Sequence, residues 1–476
     1  VYSLCTHKTL DECDCFSAKA AEFGQNQGVT DLPFLVPPAS RALLLRDARA
    51  IAGVEKLRFF PLAVQAGHGS FLTEVGGREL LDFSSSWTAG GLGYGHPHVV
   101  EAIHRAALHQ PGAGGISAVH PAMVELAEKL QDIVPGSGDR RVYLGNSGTD
   151  ANDVVLRCCQ HATGNSRIIT FSGSYHGGVG LAMGVSGVHV EAGAPAARAA
   201  TFIPFPDPFR PHTGDAHTVL SDTMLRLDNE LSAGDVACVI VEAIQSDGGI
   251  VVPPNGFLRA LWAACDKYGV ILICDEVKVG LGRTGLLHAF DLEGIVPDVV
   301  TFGKVLGGGV PLSAAVGRAD ILDGPVASAL LTTAGNPIAA AAGLAVLEVL
   351  ESESLVSQAK SSGEFLSESL LSHFDSRGVS HVVGEVRGRG LTIGVDLVSD
   401  RNTKTRDPML ARKVIYRAWE LGVVVYYVGG NILEVTPALT TGRDDLAHGA
   451  QIIADAISDV LNGAITDEQI APFLGW

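Results

Sequence analysis

Gly269-Val-Ile-Leu-Ile-Cys-Asp-Glu276 is a short, wholly apolar run that ends in two carboxylates. Five consecutive bulky apolar residues bounded by glycine and acid read as a strand buried on both faces, as in a parallel sheet. Pro297-Asp-Val-Val-Thr-Phe302 reads the same way, and Lys304 follows it, just before Gly307-Gly-Gly309. An acid and an amine are thus predicted at the carboxyl ends of two strands, the edge where open α/β sheets bind ligands.

Further strands are predicted at Arg141 to Leu144, Arg167 to Phe171 and Val236 to Ile240, each separated from the next by enough chain for a crossover helix. The fold class expected is α/β, a mostly parallel central sheet with right-handed crossovers and a smaller α+β domain. Short strands at Phe71 to Thr73 and Leu80 to Phe83 flank a turn at Gly76-Gly77. Helices are expected at Pro97 to Leu108, Pro121 to Leu130, Ile338 to Leu350, Met409 to Leu421 and Asp445 to Leu461. The remaining strands are Leu391 to Leu397, Val423 to Tyr427 and Ile432 to Thr436. This order divides the chain into an N-terminal extension (1–50), the first part of a small domain (51–104), a large domain (105–345) and the rest of the small domain (346–476).

The 476 residues can bury a large core without covalent staples. Cys158, Cys159, Cys238, Cys265 and Cys274 lie in apolar surroundings that suit reduced thiols, which points to the cytoplasm. Cys5, His7, Cys13 and Cys15 match no common zinc spacing, so no metal is expected. Lys8 and the lack of a long apolar run argue against a secretory signal, and no segment has the length of a membrane span. A net charge of -18 repels polyanions and makes nucleic acid a poor partner.

Chemistry concentrates at the predicted strand ends. Ser147, Gly148 and Thr149 open a helix, where backbone N–H groups and hydroxyls cradle a phosphate or simply cap the turn. Tyr175 and His176 follow the next strand; the ring can cover a pyridine face or pack in the core. Asp275 can keep a pyridine nitrogen protonated, or pair with Lys278 or Arg283. Lys304 can bind an aldehyde and then move a proton at a substrate Cα, with Lys278 as the rival amine. Thr332, before Gly335-Asn-Pro337, offers a hydroxyl to phosphate or caps a turn. The set points to pyridoxal 5'-phosphate.

Taken in order, Ser147-Gly-Thr149, Tyr175-His-Gly177, Glu242 with Gln245, Asp275-Glu-Val277, Gly282-Arg-Thr-Gly285, Lys304 and Gly335-Asn-Pro337 resemble the class III, fold-type I pyridoxal phosphate enzymes. The resemblance implies a homodimer with active sites at its interface. It places Gln245 near the ring hydroxyl and gives Thr332 to the phosphate of the other copy. From Lys56 onward the chain is most similar to the α-amino-ε-caprolactam racemases and related amino acid amide racemases. Ile244-Gln-Ser-Asp-Gly-Gly249 and Asp275-Glu-Val-Lys-Val-Gly280 are among the stretches that carry this. That likeness implies racemisation by two acid–base groups, Lys304 and Asp207, with Trp87 lining the substrate pocket. Pro206-Asp-Pro208 also reads as a plain turn, and Trp87 as a core residue. Arg387 can serve a substrate carboxylate, as in many class III aminotransferases, or be held by an acid such as Glu385. An omega-aminotransferase acting with a 2-oxo acid is the alternative. A non-catalytic homologue is argued against by Asp275 and Lys304.

Overall fold

The computed structural model describes residues 36–109, 114–473 and 475. The cysteines before residue 36, Trp476 and most of the expected N-terminal extension lie outside the described residues; the remainder of that extension is the helix Pro38–Ala50, with proline at its first turn. The central sheet has seven strands in the order Arg140–Gly145, Ser313–Arg318, Val299–Phe302, Ile271–Asp275, Val236–Val241, Arg167–Phe171 and Ala200–Ile203. From Val299–Phe302 to Ala200–Ile203 all neighbours are parallel, and Ser313–Arg318 runs antiparallel to both of its neighbours. Val236–Val241, Ile271–Asp275 and Val299–Phe302 are buried at every position, which is why their sequences show no alternation.

Each of the five predicted strands is present. Two others escape the sequence reading: Ala200–Ile203 is a short edge strand, and Ser313–Arg318 is built from small residues with weak strand preference. Gly317 shows why smallness is needed, since a Cβ there would stand 2.8 Å from a Val299 methyl. Register then sets the site: Ile273 pairs with Val299 and Asp275 with Thr301, so Asp275 and the chain leading to Lys304 leave the sheet at the same edge.

The nearly all-apolar helix Pro337–Ser352 is buried along most of its length and packs on Pro97–His109 and Pro121–Ile133. A four-stranded sheet joins Val64–His68, Phe71–Glu74 and Glu79–Asp82 to Val423–Val424, with Gly77 at φ 84° in the predicted turn. Another sheet carries Val383–Arg389, Thr392–Asp400, Ile432–Val435 and Tyr426–Val428. No helix among the described residues is long and apolar enough to cross a membrane. Cys158, Cys159, Cys238, Cys265 and Cys274 are free and buried.

The helix Leu355–Ser376 is unanticipated because its serines mask a regular stripe of Leu355, Ala359, Gly363, Leu366, Leu370 and Phe374. Gly363 is there for approach: a Cβ would sit 1.9 Å from the Gly390 carbonyl oxygen. Gly390, at φ 53°, is equally confined to glycine, since a Cβ there would stand 2.5 Å from the Thr284 backbone. Replacing a mid-helix glycine by alanine normally gains about 1 kcal/mol. Here the overlap dominates, and Gly363→Ala is expected to destabilise by about 1–3 kcal/mol. Denaturant unfolding with the same m-value and a lower midpoint is the expected result.

Candidate active site

The strand ends surround a cavity of about 390 Å³ lined by Ser147, Gly148, Thr149, Asn152, Tyr175, His176, Glu242, Asp247, Asp275, Lys278 and Lys304, with Ala89 and the 309–312 turn closing it. Ser147 caps the helix Gly148–Thr163 and shares a reciprocal capping box with Asp150. The hydroxyl thus caps the helix, and the same first helical turn lines the cavity, presenting N–H donors and a positive dipole end to it.

Asp275 is buried and held by three elements. Its Oδ2 accepts from Asn152 Nδ2 at 2.7 Å and bonds His176 Nδ1 at 2.8 Å; its Oδ1 accepts from the Val277 N–H at 3.0 Å. Neither Lys278 nor Arg283 is its partner: Arg283 donates to the carbonyls of Pro437 and Leu391. His176 Nε2 is buried with no hydrogen-bond partner among the described residues. Beside them Glu242 accepts the Tyr175 N–H at 2.9 Å and the Ser246 N–H at 3.1 Å. Burial, only partly offset by His176, pushes its carboxyl up to about 7.

The two lysines are electrically linked. Lys278 Nζ lies 2.8 Å from Glu434 Oε1 and 3.2 Å from Asp247 Oδ1, all three side chains being largely or wholly buried. Burial disfavours the Lys278 ammonium, but the carboxylates of Asp247 and Glu434 outweigh it and raise its pKa. Burial also works against ionised Asp247, yet Lys278 and Lys304 hold its carboxyl below the usual range. Lys304 has no such partner close enough to win. Burial, then repulsion from Lys278, bring it down to about 8, while Asp247, Glu434 and Asp275 pull the other way. Its backbone sits at φ 45°, in the left-handed region, at the start of the turn Lys304–Gly307.

Other expected residues lie elsewhere. Gln245 is buried, donating to the Ser172 carbonyl at 2.8 Å, and does not line the cavity. Asp207 is not brought to the cavity either: its Oδ1 accepts the N–H groups of Phe209 and Arg210 at 2.8 and 3.1 Å, the turn that Pro206-Asp-Pro208 also suggested. Arg387 donates to Glu385, to Asp396 and to the carbonyls of Gly249 and Ile250, so its fork is filled. Trp87 stacks on Tyr426 with centroids 4.9 Å apart, and Lys278 Nζ lies 5.1 Å from its ring centroid; Trp87 does not line the cavity. Thr332 is exposed and does not line the cavity of its own chain. Asp247 and Glu434 are what the sequence reading passed over, and Lys278 enters there only as a rival amine or a partner of Asp275. An acid directly before Gly248-Gly249 at a buried strand's end was the available signal for the first.

The lining matches pyridoxal phosphate group by group: a helix start with hydroxyls for the phosphate, a pinned carboxylate for the ring nitrogen, an aromatic wall and an amine for the aldehyde. Because neutral amine is the reactive form, capture of the aldehyde by apo-enzyme should rise with pH to a midpoint near 8. Removing the Lys278 charge frees two carboxylates to favour the Lys304 ammonium. Lys278→Met should therefore move the midpoint to above about 9, and Lys278→Arg should not. Borohydride trapping followed by intact mass, across pH, measures this.

The family model described as Aminotransferase class-III matches residues 52–457. The isoleucine 2-epimerase of Lentilactobacillus buchneri is 35% identical over 447 residues, covering 91% of this chain and 98% of its own. The leucine/methionine racemase of Thermococcus litoralis is 34% identical over 442 residues, covering 91% and 99%. Among solved structures, a PLP-bound amine transaminase from an uncultivated Pseudomonas species aligns with a TM-score of 0.74 at 27% identity, over 83% of this chain and 93% of that one. With the sheet order, the pinned Asp275 and Lys304 at one sheet edge, these matches establish that the chain belongs to the class III aminotransferase family and has the fold-type I architecture.

Proposed function

We propose that this protein is a pyridoxal phosphate-dependent racemase that exchanges the Cα proton of an α-amino compound through two groups, Lys304 and Asp247. The carrying observation is that an amine with its pKa near 8 and an ionised carboxylate line one cavity beside the cofactor carboxylate Asp275. Bound pyridoxal phosphate supplies the electron withdrawal that makes the Cα proton removable. Ser147, Gly148 and Thr149 hold the phosphate, Asp275 keeps the ring nitrogen protonated, and Tyr175 covers one ring face. Thr332 of a second copy completes the phosphate site in a homodimer. Ionised Asp247 takes the proton on one face and Lys304, as its ammonium, returns one on the other; the reverse direction starts from neutral Lys304 and protonated Asp247. In this reading Asp247 replaces Asp207 as the second group. The buried free thiols fit a cytoplasmic enzyme.

The substrate class proposed is α-amino-ε-caprolactam or an amino acid amide with an apolar side chain. The arginine expected to receive a carboxylate is filled by protein groups, and Lys278 is shared by two carboxylates, so the described cavity favours an uncharged head. The rings of Phe59, Trp87 and Tyr426 pack together beside Lys278, an apolar neighbour for such a side chain. The names isoleucine 2-epimerase and leucine/methionine racemase support apolar side chains and make the free amino acids the comparison to run. An omega-aminotransferase is the second reading, supported by the transaminase structure and needing Lys304 without Asp247.

Single-enantiomer α-amino-ε-caprolactam, leucine amide and leucine, each incubated in deuterated water with loaded enzyme and no keto-acid, should give the opposite enantiomer with deuterium at Cα, fastest for the uncharged heads. Absence of inversion, with amino transfer once a keto-acid is added, would favour the aminotransferase. Asp247→Asn should lower inversion by about 100-fold or more, whereas Asp207→Asn should leave chemistry intact and at most loosen its turn.

A further inference from the structure

Glu434 lies in the strand Ile432–Val435, buried, with Gly394 opposite it on one side and Tyr426 on the other. It does not line the cavity. Its carboxylate nevertheless makes the shorter of the two Lys278 contacts, 2.8 Å against 3.2 Å for Asp247, and accepts from Ser246 Oγ at 3.3 Å. The acid that cannot reach a substrate thus has the firmer hold on Lys278, while the acid that faces the cavity has the looser one.

We propose that Glu434 is the positioning residue for the second acid–base group: by keeping Lys278 paired, it lets Asp247 take up and release a proton without leaving a buried ammonium alone. This role rests on the racemase reading. If Lys278 had Asp247 as its sole counter-charge, each protonation of Asp247 would strand a buried cation, which is strongly unfavourable. With Glu434 present, protonated Asp247 beside a Lys278–Glu434 pair is a neutral arrangement. The proton moves from the substrate Cα to Asp247 Oδ, or back, and the electron pair stays on the substrate; no further reactant is needed.

The other groups facing this pair do not replace Glu434. Lys304 and His189 act on Asp247 as positive groups, Glu242 and Tyr175 feel its charge, Asp275 is engaged with Asn152 and His176, and Arg283 near Glu434 is bonded to backbone carbonyls. Removing the Glu434 charge therefore throws the full field of Lys278 onto Asp247, keeps it ionised to lower pH and leaves less of it protonated to return a proton. The more positive surroundings also lower the proton affinity of the Lys304 end.

The test uses the loaded holoenzyme and the substrate enantiomer from which Lys304 removes the proton, in deuterated water. Lys304 alone can remove and return that proton, so exchange without inversion persists, whereas inversion needs Asp247. For Glu434→Gln the ratio of inversion to exchange should fall at least about tenfold. The pH midpoint of the bound cofactor's visible absorption should also fall, a readout independent of turnover. In the double variant Lys278→Met/Glu434→Gln the ratio should recover relative to Glu434→Gln, because nothing remains to over-stabilise ionised Asp247. An unchanged ratio, or inversion and exchange falling together with the midpoint fixed, would show a merely structural Glu434 and overturn the role. Should Glu434→Gln not fold, Glu434→Asp keeps the charge one methylene short. A ratio reduced below wild type then supports the role, and Glu434→Met, which removes the charge, overturns it if its ratio is that of wild type. A wild-type enzyme that exchanges but never inverts sinks the racemase reading and this role with it; inversion by wild type beside an unaffected variant sinks the role alone.

Discussion

A carboxylate buried at the end of a parallel strand is the constraint around which the site is organised. Asp275 cannot be solvated there, so its oxygens must be filled from the protein, and they are: by Asn152 from the first helix after Ser147, by His176 from the loop after the next strand, and by its own chain at Val277. These bonds tie three crossover units to one atom group. They also explain the neighbouring geometry, since the same helix that sends in Asn152 starts at Ser147-Gly148-Thr149, and the same loop that sends in His176 sets Tyr175 on the wall. The sheet provides the edge; Asp275 decides which groups meet on it.

What was legible in the chain follows from which forces are local. Strands buried on both faces announce themselves as unbroken apolar runs, so Ile271–Asp275 and Val299–Phe302 could be read directly, and with them Asp275 and Lys304. Ser313–Arg318 could not, because it is mostly small residues, of which Gly317 is confined by Val299 across the sheet rather than chosen by any strand preference. Asp207 and Asp247 show the same limit in the site. Both stand in turn-like sequence, and only tertiary structure distinguishes the one that caps its own turn from the one that meets Lys278 across 31 residues. Glu434, separated from Ser246 by 188 residues, carries no local sign of its task at all.

Two arginine systems separate neighbouring tasks. Arg210 grips Asp396 with both terminal nitrogens, and Arg387 shares that same acid while also filling its fork with Glu385 and two carbonyls. The Asp207 turn positions the Arg210 backbone for this, so Asp207 helps to hold the 384–406 region. The result is an internally neutralised cluster, and a carboxylate seeking Arg387 would have to compete with bonds already made in good geometry.

The cavity concentrates Glu242, Asp247, Asp275, Lys278 and Lys304, with Glu434 behind, where few of them can be hydrated. Such a cluster is a poor way to stabilise a fold, because apolar side chains of similar size would usually serve better. It persists here through pairing that is unequal by design of position: Lys278 is doubly countered and stays charged, and Lys304 is left without a close partner and drops toward neutrality. One lysine's charge thus tunes the other, and the difference between two chemically identical side chains comes entirely from which strand ends supply the acids around them.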